Sequence, residues 1–152
     1  MRDKIKAIFN ESKKKTLKIG VVGYSSKNFD TKKAKEQIIS VFDGLTVDYD
    51  AKDVTVVSGL TNVGVPAIAY KEAVKRGFHT VGIACKKAEE YECFKCDAVI
   101  IVGKEWGDES EKFLDSIDVI VRIGGGKQSM AEVKTAKKKG LKVVEFDLEE
   151  TK

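Results

Sequence analysis

A glycine-rich turn near the end of the chain carries residue types that bind phosphate. Residues 121–132 read VRIGGGKQSMAE, an apolar strand that runs through three glycines into a helical pattern. Glycine lets the backbone approach a ligand closely, and the first turn of a helix presents unpaired N–H groups at the positive end of its dipole. The segment therefore predicts an anion site, formed by Gly124, Gly125, Gly126, Lys127, Gln128 and Ser129.

Glu132 in this segment allows two interpretations. It follows Ser129 by three residues, which is the S-x-x-E spacing of a capping box, with the serine at the helix N-cap and the glutamate reaching back to it. Alternatively, the Ser129 hydroxyl donates to the ligand and the Glu132 carboxylate faces a sugar hydroxyl or a reacting centre. The spacing leaves both open, and Glu132 is the candidate catalytic residue.

Two other loops are rich in small and polar residues. GYSSKNFD follows the first apolar strand, and SGLTNVGVP follows the second. Their hydroxyl and amide groups can hydrogen-bond a ligand, and the Tyr24 ring offers a surface for stacking a base. Trp106, after the fourth strand, could cover a base or be a half-buried core residue. The candidate binding residues of the two loops are Gly23, Tyr24, Ser25, Ser26, Ser58, Gly59, Asn62 and Gly64.

The elements that position these loops alternate along the chain. Continuous apolar strands are each followed by one helical or irregular segment, a pattern typical of a parallel sheet covered on both faces. In such a sheet the ligand crevice lies outside the carboxyl ends of the strands, where the strand order reverses. The sequence predicts an α/β fold: a three-layer, Rossmann-like, doubly wound, mostly parallel sheet of about six strands with helices on both faces.

Helix-end signals support this division. Asp30 or Thr31 suits the N-cap of the helix after the first strand, and Pro66 falls in the first turn of the second helix, where a missing N–H costs little. Gly77 and Gly140 suit the C-terminal glycines of the second and last helices.

Length and charge restrict the class of protein. A chain of 152 residues suits one domain, and we divide it into a basic N-terminal helix or arm at 1–16 and a Rossmann-like nucleotide-binding domain at 17–152. The net charge is +4, from 28 basic and 24 acidic residues, which does not favour nucleic-acid binding. The apolar runs are too short to span a membrane and the chain starts without a signal-peptide core. We expect a cytoplasmic protein without membrane contact.

The three cysteines, Cys85, Cys93 and Cys96, are an odd number, which argues against a disulfide framework. His79 and Cys85 lie at opposite ends of one predicted strand and cannot share a metal. We predict no metal site, and Cys93 and Cys96 are either inert thiols or a redox pair.

The motifs resemble those of the LOG-like superfamily, also called SLOG. The resemblance extends over residues 17–147 and is strongest in SGLTNVGVPAIAYKEAVKRG and DVIVRIGGGKQSMAE. The superfamily has a Rossmann-like fold, and its members were once labelled "possible lysine decarboxylases". It includes cytokinin-activating phosphoribohydrolases, molybdenum-cofactor carrier proteins, DprA-like DNA-processing proteins and nucleotide-signal sensors.

The resemblance assigns roles to individual residues. Ser129 stands where the hydrolases have a threonine that binds the nucleotide phosphate, and Glu132 stands where they have the glutamate that helps to break the N-glycosidic bond. The S-G…G loop and the paired glycines of the last motif are matched by Ser58, Gly59, Gly64, Gly125 and Gly126.

The chain also departs from that pattern at four positions. Gln128 replaces the second loop glycine, Gly124 the preceding proline, and Leu60 the second glycine of S-G-G. Glu109 stands where the hydrolases carry an arginine, which reverses the charge that would clamp an anion. Nucleotide binding is therefore better supported than hydrolysis.

The sequence thus predicts a protein that binds a nucleotide or a nucleotide-like phosphorylated ligand, as a sensor or carrier, and that requires no cofactor. The bound molecule would be a nucleotide or a molybdenum-cofactor-like ligand. One alternative is a phosphoribohydrolase of nucleoside 5′-monophosphates, and a second is a DprA-like protein that handles single-stranded DNA. The resemblance also implies a homodimer.

Overall fold

The computed structural model describes residues 16–25 and 28–151. The predicted N-terminal helix at 1–16 lies outside these residues except for Thr16. Ser26 also lies outside them. The strands are Leu17–Gly23 (β1), Val54–Ser58 (β2), His79–Ala84 (β3), Ala98–Ile101 (β4), Val119–Ile123 (β5) and Lys142–Phe146 (β6). The helices are Thr31–Leu45 (α1), Gly64–Arg76 (α2), Ser110–Asp115 (α3) and Lys127–Lys138 (α4), with 3-10 turns at Ala51–Asp53 and Lys86–Glu90.

The strands form one six-stranded sheet in the order β4-β3-β2-β1-β5-β6. Every neighbouring pair is parallel, which confirms the predicted α/β fold. The chain moves outward from β1 to β4 and then returns to place β5 on the other side of β1. The strand order therefore reverses between β1 and β5, and their carboxyl ends mark the place where a ligand crevice is expected.

Two apolar cores cover the two faces of the sheet. One contains Ile38 and Phe42 of α1 with Tyr70 of α2, and the other contains Phe113 of α3 with Val133 of α4. Because β1 and β5 are covered on both faces, most of their side chains are aliphatic. The central strands thus form a rigid platform, and the polar groups collect in the loops at its edge.

The helix-end signals agree with the structure. The Asp30 side chain caps α1 by accepting a hydrogen bond from the Lys33 amide at 3.0 Å. Gly77 and Gly140 adopt positive φ angles of 79° and 78° just after α2 and α4, a backbone conformation that favours glycine. Pro66 lies in the first turn of α2. No helix in the described part of the chain is long and apolar enough to cross a membrane.

Candidate functional site

A crevice of about 310 Å³ opens at the carboxyl ends of β1, β2 and β3, beside the start of α4. This volume is at the lower end of the range for small-molecule sites, roughly 300 to 1,000 Å³. The structure brings together most of the residues predicted from the three loops. Those that line the crevice are Gly23, Tyr24, Ser25, Ser58, Gly59, Gly126, Lys127, Gln128, Ser129 and Glu132.

The N-terminus of α4 forms one end of this crevice. Gly126 is the N-cap, and the first intrahelical bond runs from the Met130 amide to the Gly126 carbonyl at 3.1 Å. The amides of Lys127, Gln128 and Ser129 precede that bond and have no acceptor within the helix. Among residues 16–25 and 28–151 no side chain caps them, and the residues that carry them line the crevice. These N–H groups and the helix dipole can bind an anion.

The capping-box interpretation of Ser129 and Glu132 is wrong. The helix begins at Lys127, so Ser129 is the third helical residue and Glu132 lies a turn further along. The Glu132 Oε2 atom instead accepts a hydrogen bond from the Ser110 hydroxyl at 2.8 Å. Ser129 is not at the N-cap because Lys127 and Gln128 already adopt helical geometry directly after the glycines. Glu132 is therefore a wall residue of the crevice.

A second carboxylate, that of Glu109, lies in the same wall. Glu109 and Glu132 are 5% and 7% exposed. The Oε1 atom of Glu109 accepts from the Gly107 amide at 2.8 Å and from the Gln128 side-chain amide at 3.1 Å. Burial raises the pKa of Glu132, and the nearby Glu109 charge raises it further, while hydrogen bonds from Ser110 and Gln128 act in the opposite direction. One wall of the crevice thus carries two carboxylates, while the helix N-terminus at its end presents N–H donors.

The glycine elbow before α4 is held by buried contacts beneath the crevice. Gly124 and Gly125 have φ angles of 58° and 106°, and a Cβ at Gly124 would overlap the Tyr24 ring. Arg122 donates from Nη1 to the Gly124 carbonyl at 2.9 Å, and its other nitrogens reach the carboxylates of Glu145 at 2.9 Å and Asp147 at 2.6 Å. Gly124 and Gly125 therefore shape the elbow but do not line the crevice.

The loop after β2 contributes less than predicted. Ser58 and Gly59 line the crevice, where the Ser58 hydroxyl donates to the Val21 carbonyl at 2.6 Å. Asn62 lies outside it, with its backbone amide bonded to the Glu92 carbonyl at 2.9 Å. Gly64 also lies outside; its φ is 65°, and a Cβ at this position would overlap the Tyr24 carbonyl.

The stacking role predicted for Tyr24 is not supported. Its side chain borders the crevice but is only 8% exposed. The hydroxyl donates to the Leu148 carbonyl at 2.7 Å, and the ring stacks on Phe29 with centroids 5.6 Å apart. These contacts make Tyr24 a buried support for the first loop. Trp106 does border the crevice, at 47% exposure, and contacts the Tyr91 ring.

The cysteines lie to one side of this site. All three are free thiols, and burial is the largest cause of the raised pKa of Cys96. Cys93 donates to the carbonyls of Ala88 and Tyr91. Within residues 16–25 and 28–151, no three His, Cys, Asp or Glu side chains are grouped closely enough to hold a metal ion.

The comparison with protein families identifies the chain. The model of the SLOG cluster4 family matches residues 16–152. This chain belongs to that family. The SLOG assignment agrees with the resemblance inferred from the loop motifs, and the match spans every strand of the sheet and every loop of the crevice.

Solved structures share the fold of this SLOG chain. The molybdenum cofactor carrier protein from Chlamydomonas reinhardtii is 23% identical with a TM-score of 0.66, over 86% of this chain and 76% of that one. The molybdenum cofactor binding protein from Rippkaea orientalis is 24% identical with a TM-score of 0.69, over 87% of this chain and 77% of that one. No curated protein sequence is significantly similar to this chain.

Two polar residues at the acidic wall, Glu109 of the crevice lining and Ser110 next to it in sequence, were not predicted as site residues. Glu109 was noted only as a replacement for arginine, yet it is buried in the crevice wall. Ser110 binds Glu132 across 22 positions of sequence, and nothing in its local pattern marks it. The sequence offered one signal for Glu109: it stands where the hydrolases carry an arginine, a position that faces the ligand in the family pattern.

Proposed function

We propose that this SLOG chain binds a nucleotide or nucleotide-like phosphorylated ligand, with the phosphate at the N-terminus of α4. The observation that carries the proposal is the set of uncapped amides at Lys127, Gln128 and Ser129, which open into the crevice. Phosphate groups at such helix ends accept several N–H donors and align with the positive end of the dipole. Ser25 and Ser58 place further hydroxyl groups on the same crevice.

The similarity to molybdenum cofactor carriers supports binding without turnover. Two proteins of this fold are described as carrier or binding proteins for that cofactor. A carrier needs a crevice that holds its cargo and releases it unchanged. The replacement of the hydrolases' arginine by Glu109 fits a binder better than a hydrolase, because a buried carboxylate cannot clamp a reacting anion.

Blocking the α4 amides tests the proposal. The Gly126 Cβ position is open, with no atom within 4 Å, so Gly126→Asp places a carboxylate at the N-cap without a clash. Relative to glycine, an N-cap aspartate stabilises a helix by only about a few tenths of a kcal/mol, while its charge and its hydrogen bonds exclude a phosphate. We expect at least a tenfold weaker affinity for AMP and GMP in calorimetry, with an unchanged or higher melting temperature.

Gly126→Ala is the matched control. Alanine adds the same Cβ without a carboxylate, and we expect it to retain nucleotide binding. Equal affinities of the wild type, the alanine variant and the aspartate variant would contradict a phosphate site at α4. Ligand-dependent thermal stabilisation gives an independent reading of the same comparison.

One observation favours the hydrolase alternative. Glu132 lines the crevice with a pKa raised by burial, and a carboxyl group of this kind can transfer a proton or stabilise an oxocarbenium-like centre. The test is incubation with each common nucleoside 5′-monophosphate and chromatography for free base. Release of base that Glu132→Gln abolishes would establish the enzyme, whereas binding without release would support the carrier.

The homodimer and the single-stranded DNA alternative stay predictions. Val99 and Ile101 of edge strand β4 are exposed and offer apolar surface for a second copy, which light scattering after size exclusion would detect. DNA binding predicts an affinity that falls steeply with salt.

A further inference from the structure

An exposed aromatic side chain borders the proposed ligand crevice. Trp106 lies between β4 and α3, lines the same crevice as Lys127 and Ser129, and keeps 47% of its side chain exposed. A half-exposed indole beside a cavity can stack on a planar ring, and base–aromatic stacking contributes about 1–3 kcal/mol per base. Trp106 is the only tryptophan of the chain, so its fluorescence reports on this one place.

The Glu109 carboxylate has an oxygen that lacks a protein donor. Its side chain is 5% exposed and lines the crevice. The Oε1 atom accepts from Gly107 and Gln128, but among the described residues none donates to Oε2. This oxygen is not one of the fully buried side-chain atoms that lack a partner among the described residues, so it is accessible to a ligand that enters the crevice. A ligand that brings N–H groups to this wall would satisfy it, whereas one that brings a lone pair would be repelled.

Building on the phosphate site proposed above, we infer that the crevice selects a phosphorylated ligand whose planar ring carries adjacent N–H donors. Trp106 covers the ring, and the free oxygen of Glu109 accepts from its edge. The 2-amino-4-oxopyrimidine edge, with a ring N–H beside an exocyclic amino group, has this chemistry and is common to guanine and pterins. Adenine presents a ring nitrogen lone pair at the equivalent position and is disfavoured.

The experiment compares GMP, AMP and ribose 5-phosphate on the full chain, by calorimetry and by quenching of the Trp106 fluorescence. We expect GMP to bind at least tenfold more tightly than AMP and to quench the fluorescence. Ribose 5-phosphate carries the phosphate without a ring, so it should bind more weakly than GMP and leave the fluorescence unchanged.

Two variants separate the ring contacts from the phosphate contact. Glu109→Gln keeps the size of the side chain and should reduce the GMP-to-AMP affinity ratio at least fivefold while leaving ribose 5-phosphate binding unchanged. Trp106→Ala should weaken both nucleotides, and Trp106→Phe, which keeps an aromatic ring, should restore most of that loss. Circular dichroism checks that each variant folds; if Glu109→Gln does not, the wild-type ratio still decides the question.

Different results would overturn the ring contacts and the phosphate site. Equal affinities for GMP, AMP and ribose 5-phosphate without quenching would overturn the ring inference, while sensitivity of all three to Gly126→Asp would keep the phosphate site. If Gly126→Asp leaves ribose 5-phosphate binding intact, the phosphate site is wrong and the inference falls with it. A pterin monophosphate completes the series: tighter binding than GMP assigns a pterin ligand, and weaker binding assigns a guanine nucleotide.

Discussion

Two helices begin at the same edge of the sheet after loops that contain glycine, yet only one offers its amides to the crevice. At α2, the Val65 amide donates to the Tyr24 carbonyl at 2.7 Å, and Pro66 has no N–H to offer. At α4, no residue that the structure describes caps the amides of Lys127, Gln128 and Ser129, and these residues border the crevice. The α2 end is closed by the protein itself, while the α4 end is open.

This difference shows why glycine content alone does not make an anion site. Gly64 lets the Tyr24 carbonyl approach α2 so closely that the backbone takes the place of a ligand. Gly126 borders open space instead. A glycine-rich loop binds an anion only where the surrounding fold leaves its N–H groups without a partner.

The largest expected effect is at the closed helix end. Gly64→Ala forces alanine into a φ of 65° and places its Cβ against the Tyr24 carbonyl, so we expect a loss of about 3 kcal/mol or more of unfolding free energy. Urea denaturation measures it. Gly59→Ala is the control, because nothing lies within 4 Å of its Cβ position. Equal losses for both would show that the approach to Tyr24 does not require glycine.

Arg122 tests whether the open end depends on its buried support. Arg122→Met removes the hydrogen bonds to the Gly124 carbonyl, Glu145 and Asp147, and we expect a loss of about 2–3 kcal/mol together with at least fivefold weaker GMP binding.

Arg76→Met provides the matched comparison for Arg122. Arg76 pairs with Glu72 and Asp43 on the far side of the molecule from α4, so its loss should lower stability without changing GMP affinity. An equal loss of affinity in both variants would mean that general destabilisation, and not the elbow, controls binding.

A third helix end provides a smaller test. The Asp30 carboxylate closes α1 by bonding the Lys33 amide, and Asp30→Ala should cost about 1 kcal/mol of unfolding free energy. Asp30→Asn retains a capping oxygen and should cost only a few tenths of a kcal/mol. If alanine is as stable as asparagine, the cap does not stabilise α1. In neither variant do we expect a change in GMP affinity, because α1 does not border the crevice.

The smallest effect concerns pH at the acidic wall. Because burial raises the pKa of Glu132, its folded form holds a proton more tightly than the unfolded chain does, and stability is lost as pH rises through that pKa. Glutamine does not ionise, so Glu132→Gln removes this loss of stability at high pH. The variant should therefore gain a few degrees of melting temperature over the wild type at pH 8, and less at pH 4.

Glu145 gives the opposite sign and serves as the control. Hydrogen bonds from Arg122 and Lys137 lower its pKa, so its contribution is present at neutral pH and lost as pH falls. Glu145→Gln should be less stable than the wild type at pH 8, with the gap closing in acid. The same pH trend in both variants would contradict the assigned environments.

Much of the fold could be predicted because it is encoded locally. The continuous apolar strands around Val21 and Val121, the cap at Asp30 and the glycines at 77 and 140 each signal their element through neighbours in sequence. The position of the crevice follows from the topological reversal between β1 and β5. The capping-box interpretation placed the N-cap of α4 at Ser129, whereas it lies at Gly126, since the helical pattern alone does not fix the first residue of the helix.

What the sequence determined by itself is the parallel α/β architecture, the glycine elbow before α4 and the family. Tertiary structure decided which helix end stays open, because the Tyr24 carbonyl that closes α2 lies 41 positions before Val65. It also buried Tyr24 under Leu148 and joined Glu109 to Gln128 and Glu132 to Ser110. Apolar periodicity reports which face of an element is buried, but the partner of a polar group is chosen only when distant segments pack together.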